Sequence, residues 1–333
     1  MHAKSGSLVE SYYCMKEIGG YFELELREGE HYHSQALRLN TARNCFEYIL
    51  RARKYTKVYI PYYTCEVMLE PLKKYGLEFE FYSIDALLEP FEKIVLKVGE
   101  AFLYTNYFGL KQACVEYLAS IYGSRLIVDN AQAFYAPPVE GIDTFYSARK
   151  FFGVPDGAYL YTDKLLDIAL ERDVSYQRSV HLLRRIDESA SRGYANFRRN
   201  DDSLIGQPIK KMSRFTDALL CSIDYDIVRK KRVENYKYLK NRLDRINRVR
   251  FLEDEGAVPM VYPFYCEEKN LRNRLIDNKI YVATYWPNVL EWVGKNNIES
   301  DYVNTLVALP VDQRCDHSMM ENIVEIINTR RES

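Results

Sequence analysis

Two charged residues follow short apolar segments near the middle of the chain. The segment RLIV at residues 125–128 has the apolar, β-branched character of a buried parallel strand, and Asp129 follows it directly. Lys150 follows another short strand at residues 144–147. In open α/β sheets, ligands bind in the crevice at the carboxyl ends of the strands. We therefore expect the Asp129 carboxylate and the Lys150 amine to face one crevice.

This pair suggests covalent chemistry on an aldehyde cofactor. A lysine amine forms a Schiff base with pyridoxal phosphate, and a buried Asp keeps the ring nitrogen of that cofactor protonated so that the ring accepts electrons. The phosphate needs hydroxyl groups and free N–H groups at a helix N-terminus. Ser147 and the helix start at Thr41, Ala42 and Arg43 supply such groups. The sequence thus contains each part that a pyridoxal-phosphate site requires.

Each residue alone also has a simpler interpretation. An Asp after a strand is often a helix cap or a turn residue, and a single Lys near a Gly/Pro turn is usually solvated. The functional interpretation depends on the combination, in which Gln132 and Ser147 stand in register with Asp129 and Lys150.

The elements that must position these residues alternate between strand and helix patterns from about residue 40. Such alternation predicts a mostly parallel sheet that helices cover on both faces. The predicted strands are KVYIP, LEFEFYSID, EAFLYTN, RLIVD, residues 144–147 and GAYLYTDK, and the predicted helices are TARNCFEYILRARK, TCEVMLEPLKKYG and KQACVEYLASIYG.

Charged helical patterns follow the sheet at residues 165–192 and 211–248, with NFRRNDDSLIGQP as a polar interruption between them. The remaining sequence reads as a smaller αβ unit that ends in an amphipathic helix. We predict an N-terminal segment at residues 1–34, a large cofactor-binding domain at 35–215, and a long connecting helix with a small C-terminal domain at 216–333.

Composition limits the class of protein. The chain has 333 residues, of which 47% are hydrophobic and 28% charged, with a net charge of -1, so we expect a soluble globular protein that binds neither nucleic acid nor membranes. Its seven cysteines are dispersed and form no C-x-x-C pair, which is typical of reduced thiols in the cytoplasm and indicates no metal site. The N-terminus lacks the apolar core of a signal peptide.

Several motifs together resemble the DegT/StrS sugar aminotransferases, which belong to fold type I of the pyridoxal-phosphate enzymes. The resemblance runs in patches from about residue 38 onward, and the motifs occur in the family's order. The segments that carry it are IPYYTCEVMLEPLKKYGLEFEFYSID, IVDNAQAF, SARKFFGVPDGA and LVALPVDQRCDHSMMENIVEIIN.

The resemblance implies a role for each matching position. Lys150 matches the lysine that forms the Schiff base and then shuttles protons, and Asp129 matches the partner of the pyridine nitrogen. Gln132 matches a glutamine that contacts the phenolic oxygen and the ring face. Ser147 lies where a phosphate-binding serine is expected. The TARN segment occupies the place of the family's phosphate loop, which makes Thr41, Ala42 and Arg43 phosphate ligands.

Three further cofactor-site candidates depart from the family's pattern. Cys65 stands where an aromatic residue often stacks on the cofactor ring, and Asn106 stands where a histidine is common. Asn196, in GYANFRR, only loosely matches an asparagine that reaches the cofactor phosphate of the partner subunit. These departures bear on the identity of the amino donor and the sugar.

Other features have mainly structural interpretations. His31 and His33 form an H-x-H without an acidic or cysteine cluster, which favours a surface strand or loop over a metal site. A basic run is most often a solvated helix face, or it could hold the diphosphate of a nucleotide-linked substrate; its members are Arg184, Arg185, Arg192, Arg198 and Arg199. Arg314 is either an exposed loop residue or a ligand of the donor carboxylate.

The resemblance implies a homodimeric aminotransferase with pyridoxal 5'-phosphate on Lys150. It would move an amino group from an amino acid such as glutamate to a keto sugar, in the nucleotide-linked form that polysaccharide biosynthesis uses. Two alternatives stay open. One is another pyridoxal-phosphate reaction on sugars, dehydration or elimination, although dehydratase relatives carry histidine at the position of Lys150. The other is a catalytically idle scaffold that kept the fold.

Overall fold

A computed structural model of the chain describes residues 18–249, 254–295 and 297–329. Across these residues the central sheet has seven strands, in the spatial order β1-β7-β6-β5-β4-β2-β3. β7 is antiparallel to both of its neighbours, and the other strand pairs are parallel. The strands are β1 Leu37–Leu39, β2 Lys57–Pro61, β3 Glu78–Tyr82, β4 Glu100–Thr105, β5 Leu126–Asn130, β6 Asp143–Ser147 and β7 Ala158–Tyr161. The predicted mostly parallel sheet is confirmed.

Helices cover both faces of this sheet because side chains alternate along each strand. In β4, Leu103 belongs to one buried cluster while Phe102 and Tyr104 belong to the other. The helices of this region are α1 Ala42–Arg53, α2 Leu69–Tyr75, α3 Gln112–Tyr122, α4 Val180–Asp187, α5 Ala190–Ser203, α6 Arg214–Cys221 and α7 Tyr225–Leu243.

The C-terminal part of the chain forms a smaller αβ unit, as predicted. Its two antiparallel strands are β8 Val261–Tyr265 and β9 Leu306–Pro310, and its helices are α8 Leu271–Asp277, α9 Val289–Trp292, α10 Ile298–Thr305 and α11 His317–Asn328. α11 is amphipathic and buries Met320, Ile323, Val324 and Ile327. The domain boundaries at residues 34 and 215 stay predictions.

Local signals explain where the first helices begin and end. Thr41 caps α1 because its hydroxyl accepts the Asn44 N–H at 3.0 Å. Gly76 ends α2 in the left-handed conformation, with φ 61, which favours glycine. The helix predicted over TCEVMLEPLKKYG forms as a 3₁₀ turn, Glu66–Met68, followed by α2.

The helix predicted over residues 165–192 is wrong in its first half. Residues 165–175 are irregular, because Asp173 N–H donates to the Lys211 carbonyl and Lys211 N–H donates to the Glu171 carbonyl. This pairing with a distant segment replaces the hydrogen bonds of a helix. The predicted interruption is also wrong at its start, because α5 continues through the polar residues up to Ser203.

The described part of the N-terminal segment packs against the sheet through two histidines. His31 and His33 are 9% and 2% exposed, so the prediction of a surface position is wrong, although they do lie in a loop. The His33 ring bonds to the Phe134 carbonyl at 2.8 Å and to the Tyr161 hydroxyl at 3.2 Å. Residues 1–17 of the predicted segment lie outside the described residues. Among the described residues, no helix combines the length and apolar character needed to cross a bilayer.

Candidate active site

Polar residues collect where the parallel strands end. β4 ends at Thr105, β5 at Asn130 and β6 at Ser147, and the register places Thr105 beside Asp129. Because these strands are parallel, their carboxyl ends lie at the same edge of the sheet. The site is built on this edge.

Asp129 is buried at 6% exposure, and its Oδ1 accepts the Ala131 N–H at 2.8 Å. Burial raises the pKa of the Asp129 carboxyl, while the positive charge of Lys150 and the Ala131 hydrogen bond lower it. The structure therefore brings Asp129 and Lys150 within electrostatic reach of each other, across a site that keeps the carboxylate from water.

Lys150 ends the 3₁₀ turn Ala148–Lys150, which follows β6 directly. Its side chain is exposed, and none of the carboxylates in the described residues forms an ion pair with it. Burial raises the pKa of the Cys65 thiol, and the charge of Lys150 is the largest influence that lowers it. Cys65 thus lies at the same site, where its thiol is neutral at neutral pH.

Gln132 presents an unused donor to this site. Its side chain is 1% exposed, and Oε1 accepts the Phe108 N–H at 2.9 Å. Its Nε2 has no partner within the described chain, and neither has the Thr105 hydroxyl. Because buried donors are nearly always paired, these two groups indicate room for an acceptor from a ligand. Phe108 takes the left-handed conformation, with φ 58, so the backbone that Gln132 holds is strained.

The predicted phosphate ligands lie at the N-terminus of α1. After the cap at Thr41, the N–H groups of Ala42 and Arg43 have no backbone partner in the described residues. The Arg43 guanidinium bonds to the Glu70 carboxylate and to the Leu204 carbonyl, the latter at 3.1 Å. Its charge also lowers the pKa of Cys65, which places the start of α1 near Cys65.

Ser147 is the last residue of β6 and pairs with Ala158 of β7. Its side chain is buried, and its hydroxyl forms no hydrogen bond with the residues that the structure describes. Ser147 therefore stands three residues before Lys150 with its hydroxyl uncommitted.

Two of the predicted residues have their side chains engaged elsewhere. The Asn106 amide donates to Gln112 Oε1 at 3.2 Å and accepts the Lys111 N–H at 3.0 Å, while its backbone N–H donates to the Asp129 carbonyl. Asn196, on α5, accepts a hydrogen bond from Arg184 of α4 at 3.2 Å. No contact within the described chain joins Asn196 to Asp129 or Lys150.

The small C-terminal unit supplies contacts that sequence reasoning missed. Asn288 donates to the Thr64 carbonyl at 3.0 Å, and the Trp286 ring lies 4.8 Å from that of Tyr63. Phe108 and Gln132 form a further contact without a local sequence signal. A positive φ at Trp286, 57°, marks a loop conformation that propensities for a Trp do not predict.

The two basic features of the sequence approach each other. Burial and the charge of Arg314 lower the pKa of Arg185. This effect indicates that α4, which carries Arg185, lies near the loop after β9. Arg314 itself holds Asp312 through two hydrogen bonds of 2.7 and 2.9 Å. Arg184 instead pairs with Glu188 one turn along α4.

Solved structures resemble this chain over most of its length. The sugar aminotransferase CalS13 from Micromonospora echinospora is 15% identical, with 89% of this chain and 88% of that chain covered at a TM-score of 0.60. A DegT DnrJ EryC1 StrS aminotransferase from Brucella abortus is 14% identical, with 88% and 85% covered at 0.58. NtdA from Bacillus subtilis, solved with bound cofactor PMP, is 12% identical, with 90% and 73% covered at 0.62.

The chain has the fold of these three proteins. The predicted fold class is thereby confirmed: a fold type I architecture with a mostly parallel sheet between helices and a smaller C-terminal αβ unit. Neither a protein-family model nor the sequence of a curated protein matches the chain. The name of the Brucella abortus structure is that of the family which the sequence motifs resemble.

Proposed function

We propose that this protein is a pyridoxal-phosphate-dependent aminotransferase that moves an amino group from an amino acid such as glutamate to a keto sugar. The observation that carries the proposal is the meeting of Asp129 and Lys150 at the carboxyl edge of the sheet, where Lys150 acts on the pKa of the buried carboxyl. The solved structures of the same fold, with an aminotransferase in two of their three names, support it.

The residues at this edge fit the cofactor in charge and in hydrogen-bonding capacity. Asp129 would pair with the protonated ring nitrogen, and Gln132 would use its unpartnered Nε2 on the phenolic oxygen. Ser147, with the free N–H groups of Ala42 and Arg43 beyond the Thr41 cap, would hold the phosphate. Each of these groups lacks a full set of partners within the chain itself, and the cofactor carries the complementary groups.

Two further residues complete the proposed cofactor site. Cys65 would face the cofactor ring where family members often place an aromatic residue, because the charges of Lys150 and Arg43 both act on its thiol. Asn106 would contribute through its backbone N–H, which holds the Asp129 carbonyl at 3.0 Å.

When bound, pyridoxal phosphate supplies an electron sink for the bond that breaks at the substrate carbon. The chain's own residues do the rest. The positive charge of Lys150 and the Ala131 N–H favour the ionised carboxylate of Asp129, in a setting where burial favours the neutral acid. Lys150, on the turn after β6, would hold the cofactor through Nζ and would afterwards accept and deliver protons at the same atom. The Cys65 thiol stays protonated and does not compete with the amine as a nucleophile.

The sugar is proposed to be nucleotide-linked. The charge of Arg314 acts on Arg185, and one carboxylate, Asp312, binds the Arg314 guanidinium. The excess of positive charge suits an anionic substrate, either at the donor carboxylate or at a diphosphate.

A homodimer is proposed on the hairpin formed by α4 and α5. This hairpin exposes large apolar side chains: Leu183, Ile186 and Tyr194 are 54%, 81% and 59% exposed. A second copy would cover this apolar surface. In such a dimer, Asn196 would lie within reach of the cofactor site of the second copy. The dispersed cysteines support a cytoplasmic location.

The first test is the fixation of the cofactor. Purified protein incubated with pyridoxal phosphate and treated with borohydride should carry one cofactor on Lys150, detected as a mass increase on the peptide that contains this lysine. Lys150→Ala should lose the attachment completely, because no other described amine faces Asp129. Lys164→Ala, at an exposed lysine, is the matched control and should keep it.

A second measurement distinguishes the alternatives. Addition of glutamate should convert the bound cofactor to its aminated form, with loss of the aldehyde absorbance. An idle scaffold would bind no cofactor or leave it unchanged with every amino donor, and an eliminating enzyme would leave it unchanged with glutamate but release product from a sugar substrate.

A further inference from the structure

Phe151, the residue after Lys150, is bound by side chains of elements that lie outside the large sheet. The carbonyl of Phe151 accepts two side-chain hydrogen bonds, from Gln313 Nε2 at 2.8 Å and from Arg232 Nη2 at 3.4 Å. The Phe151 ring lies under the same guanidinium, 4.5 Å from Arg232 Cζ. Arg232 belongs to α7, and Gln313 belongs to the loop between β9 and α11. Two separate elements therefore hold the residue that follows Lys150.

Arg232 is unusual because it is a fully buried cation that no described carboxylate contacts directly, although the charge of Asp312 acts on it. Its side chain is 1% exposed, and no carboxylate in the described residues forms an ion pair with it. Its remaining contacts are the carbonyls of Pro259 and Met260, at 3.4 and 3.1 Å. Burial lowers the pKa of Arg232 to about 10. Burying such a charge is costly, and the planar, forked guanidinium donates to three carbonyls at once.

A second path leads from Arg232 to the opposite side of the site. The carbonyl of Met260 accepts from Arg232, and the N–H of Met260 donates to the Phe108 carbonyl at 2.8 Å. The N–H of Phe108 in turn donates to Gln132 Oε1 at 2.9 Å. The strained backbone of Phe108 is thus fixed at both of its polar groups. Arg232 therefore connects, through backbone atoms, the turn of Lys150 with the side chain of Gln132.

We propose that Arg232, together with Gln313, is a positioning residue that sets the amine of Lys150 and the amide of Gln132 at a fixed spacing for the cofactor. The proposal rests on the proposed function, because it concerns how this chain presents those two groups to pyridoxal phosphate. Neither residue touches the cofactor. Arg232 acts through Phe151 and Phe108, and Gln313 acts through Phe151 alone.

The test compares Arg232→Lys and Gln313→Met with the wild type. Arg232→Lys keeps the charge but removes the fork, and Gln313→Met removes one donor at a half-buried position where folding is little affected. Arg229→Met, at an exposed arginine one turn away on α7, is the matched control. Three quantities are measured: the dissociation constant of pyridoxal phosphate, the pH midpoint of the absorbance of the bound cofactor, and the thermal unfolding of the cofactor-free chain.

We expect both test variants to bind pyridoxal phosphate about threefold to tenfold more weakly, the range that one lost hydrogen bond gives. We also expect the pH midpoint of the bound cofactor to shift, while the control changes neither quantity. The Gln313→Met chain should unfold at nearly the wild-type temperature. The double variant should be less than additive, because both side chains donate to the same carbonyl.

An unchanged dissociation constant and pH midpoint in both variants would overturn the inference. So would changes that only accompany a lower unfolding temperature, because Arg232 would then be a purely structural tie. If the wild type itself binds no pyridoxal phosphate, the proposed function fails, a result that differs from either of these.

Discussion

Asp129 and Asp156 are both buried carboxylates of the large domain, but the chain treats them differently. Asp156 is 0% exposed and accepts hydrogen bonds from the Ser213 N–H at 2.9 Å, the Ser213 hydroxyl at 2.8 Å and the Thr216 hydroxyl. Asp129 accepts one hydrogen bond within the described residues, from Ala131. A buried carboxylate that receives several hydrogen bonds from the chain has a structural role. A buried carboxylate that receives only one can accept further hydrogen bonds from a ligand.

The largest effect on stability is expected at Asp156. Asp156→Ala removes three hydrogen bonds and leaves the Ser213 N–H and the Thr216 hydroxyl buried without their acceptor, which should cost about 4 kcal/mol in the free energy of unfolding. Urea unfolding of the cofactor-free chain measures it. Asp187→Ala, at an exposed position on α4, is the control and should change little. A loss as small as that of the control would remove the basis of the comparison.

A second prediction extends the comparison to His33, a buried group that is satisfied in its neutral form. Burial lowers its pKa to about 4 from 6.5. As the pH falls from 6.5 to about 4, the unfolded chain takes up a proton that the folded chain refuses, so stability is present above pH 6.5 and is lost through this window. The loss should be about 3 kcal/mol.

Replacement of His33 removes this dependence. His33→Phe should lower stability at pH 7, because the hydrogen bonds to Phe134 and Tyr161 are lost, but it should flatten the curve between pH 6.5 and 4. His317→Gln, at an exposed histidine, should leave the slope as it is in the wild type. The measurement is the difference between variant and wild-type unfolding free energies at each pH; equal slopes in all three proteins would contradict the prediction.

The smallest effect on stability is expected at Asp129. Its raised pKa means that the cofactor-free chain loses stability as the pH rises from 3.8 through the folded pKa. Asp129→Asn removes the buried charge and keeps an acceptor for Ala131, so it should raise stability at pH 7 by up to about 1 kcal/mol. The same variant should bind pyridoxal phosphate more weakly. A clear loss of stability would place Asp129 in the same class as Asp156.

The sequence predicts most of the sheet because its strands carry their own signal. KVYIP coincides with β2, and the alternation of apolar strands with amphipathic helices identifies the order of elements. The sequence does not predict the irregular segment at residues 165–175. Its conformation depends on the pairing of Glu171 and Asp173 with Lys211, which is a contact between distant segments. Local patterns contain no information about such a partner.

The candidate site also contains residues that the sequence predicts and residues that it does not. Asp129, Gln132, Ser147 and Lys150 lie in one stretch of sequence at strand ends, so pattern and motif together predict that they are neighbours. Arg232 lies inside a charged helix and looks like a solvated residue until its burial is known. Its partners are backbone carbonyls, which any residue type can provide, so no sequence pattern reveals them.

The pairing of the first strand with the last one of the large sheet has a consequence for biosynthesis. β1 leaves the ribosome before every other strand of the sheet, yet Leu37 and Leu39 pair with residues of β7, Leu160 and Ala158. Thr41 lies two residues after the end of β1 and caps the helix that would hold the phosphate. A nascent chain therefore cannot fix the start of α1 against the sheet until β7 has emerged, so binding of the proposed cofactor would follow synthesis of the whole sheet.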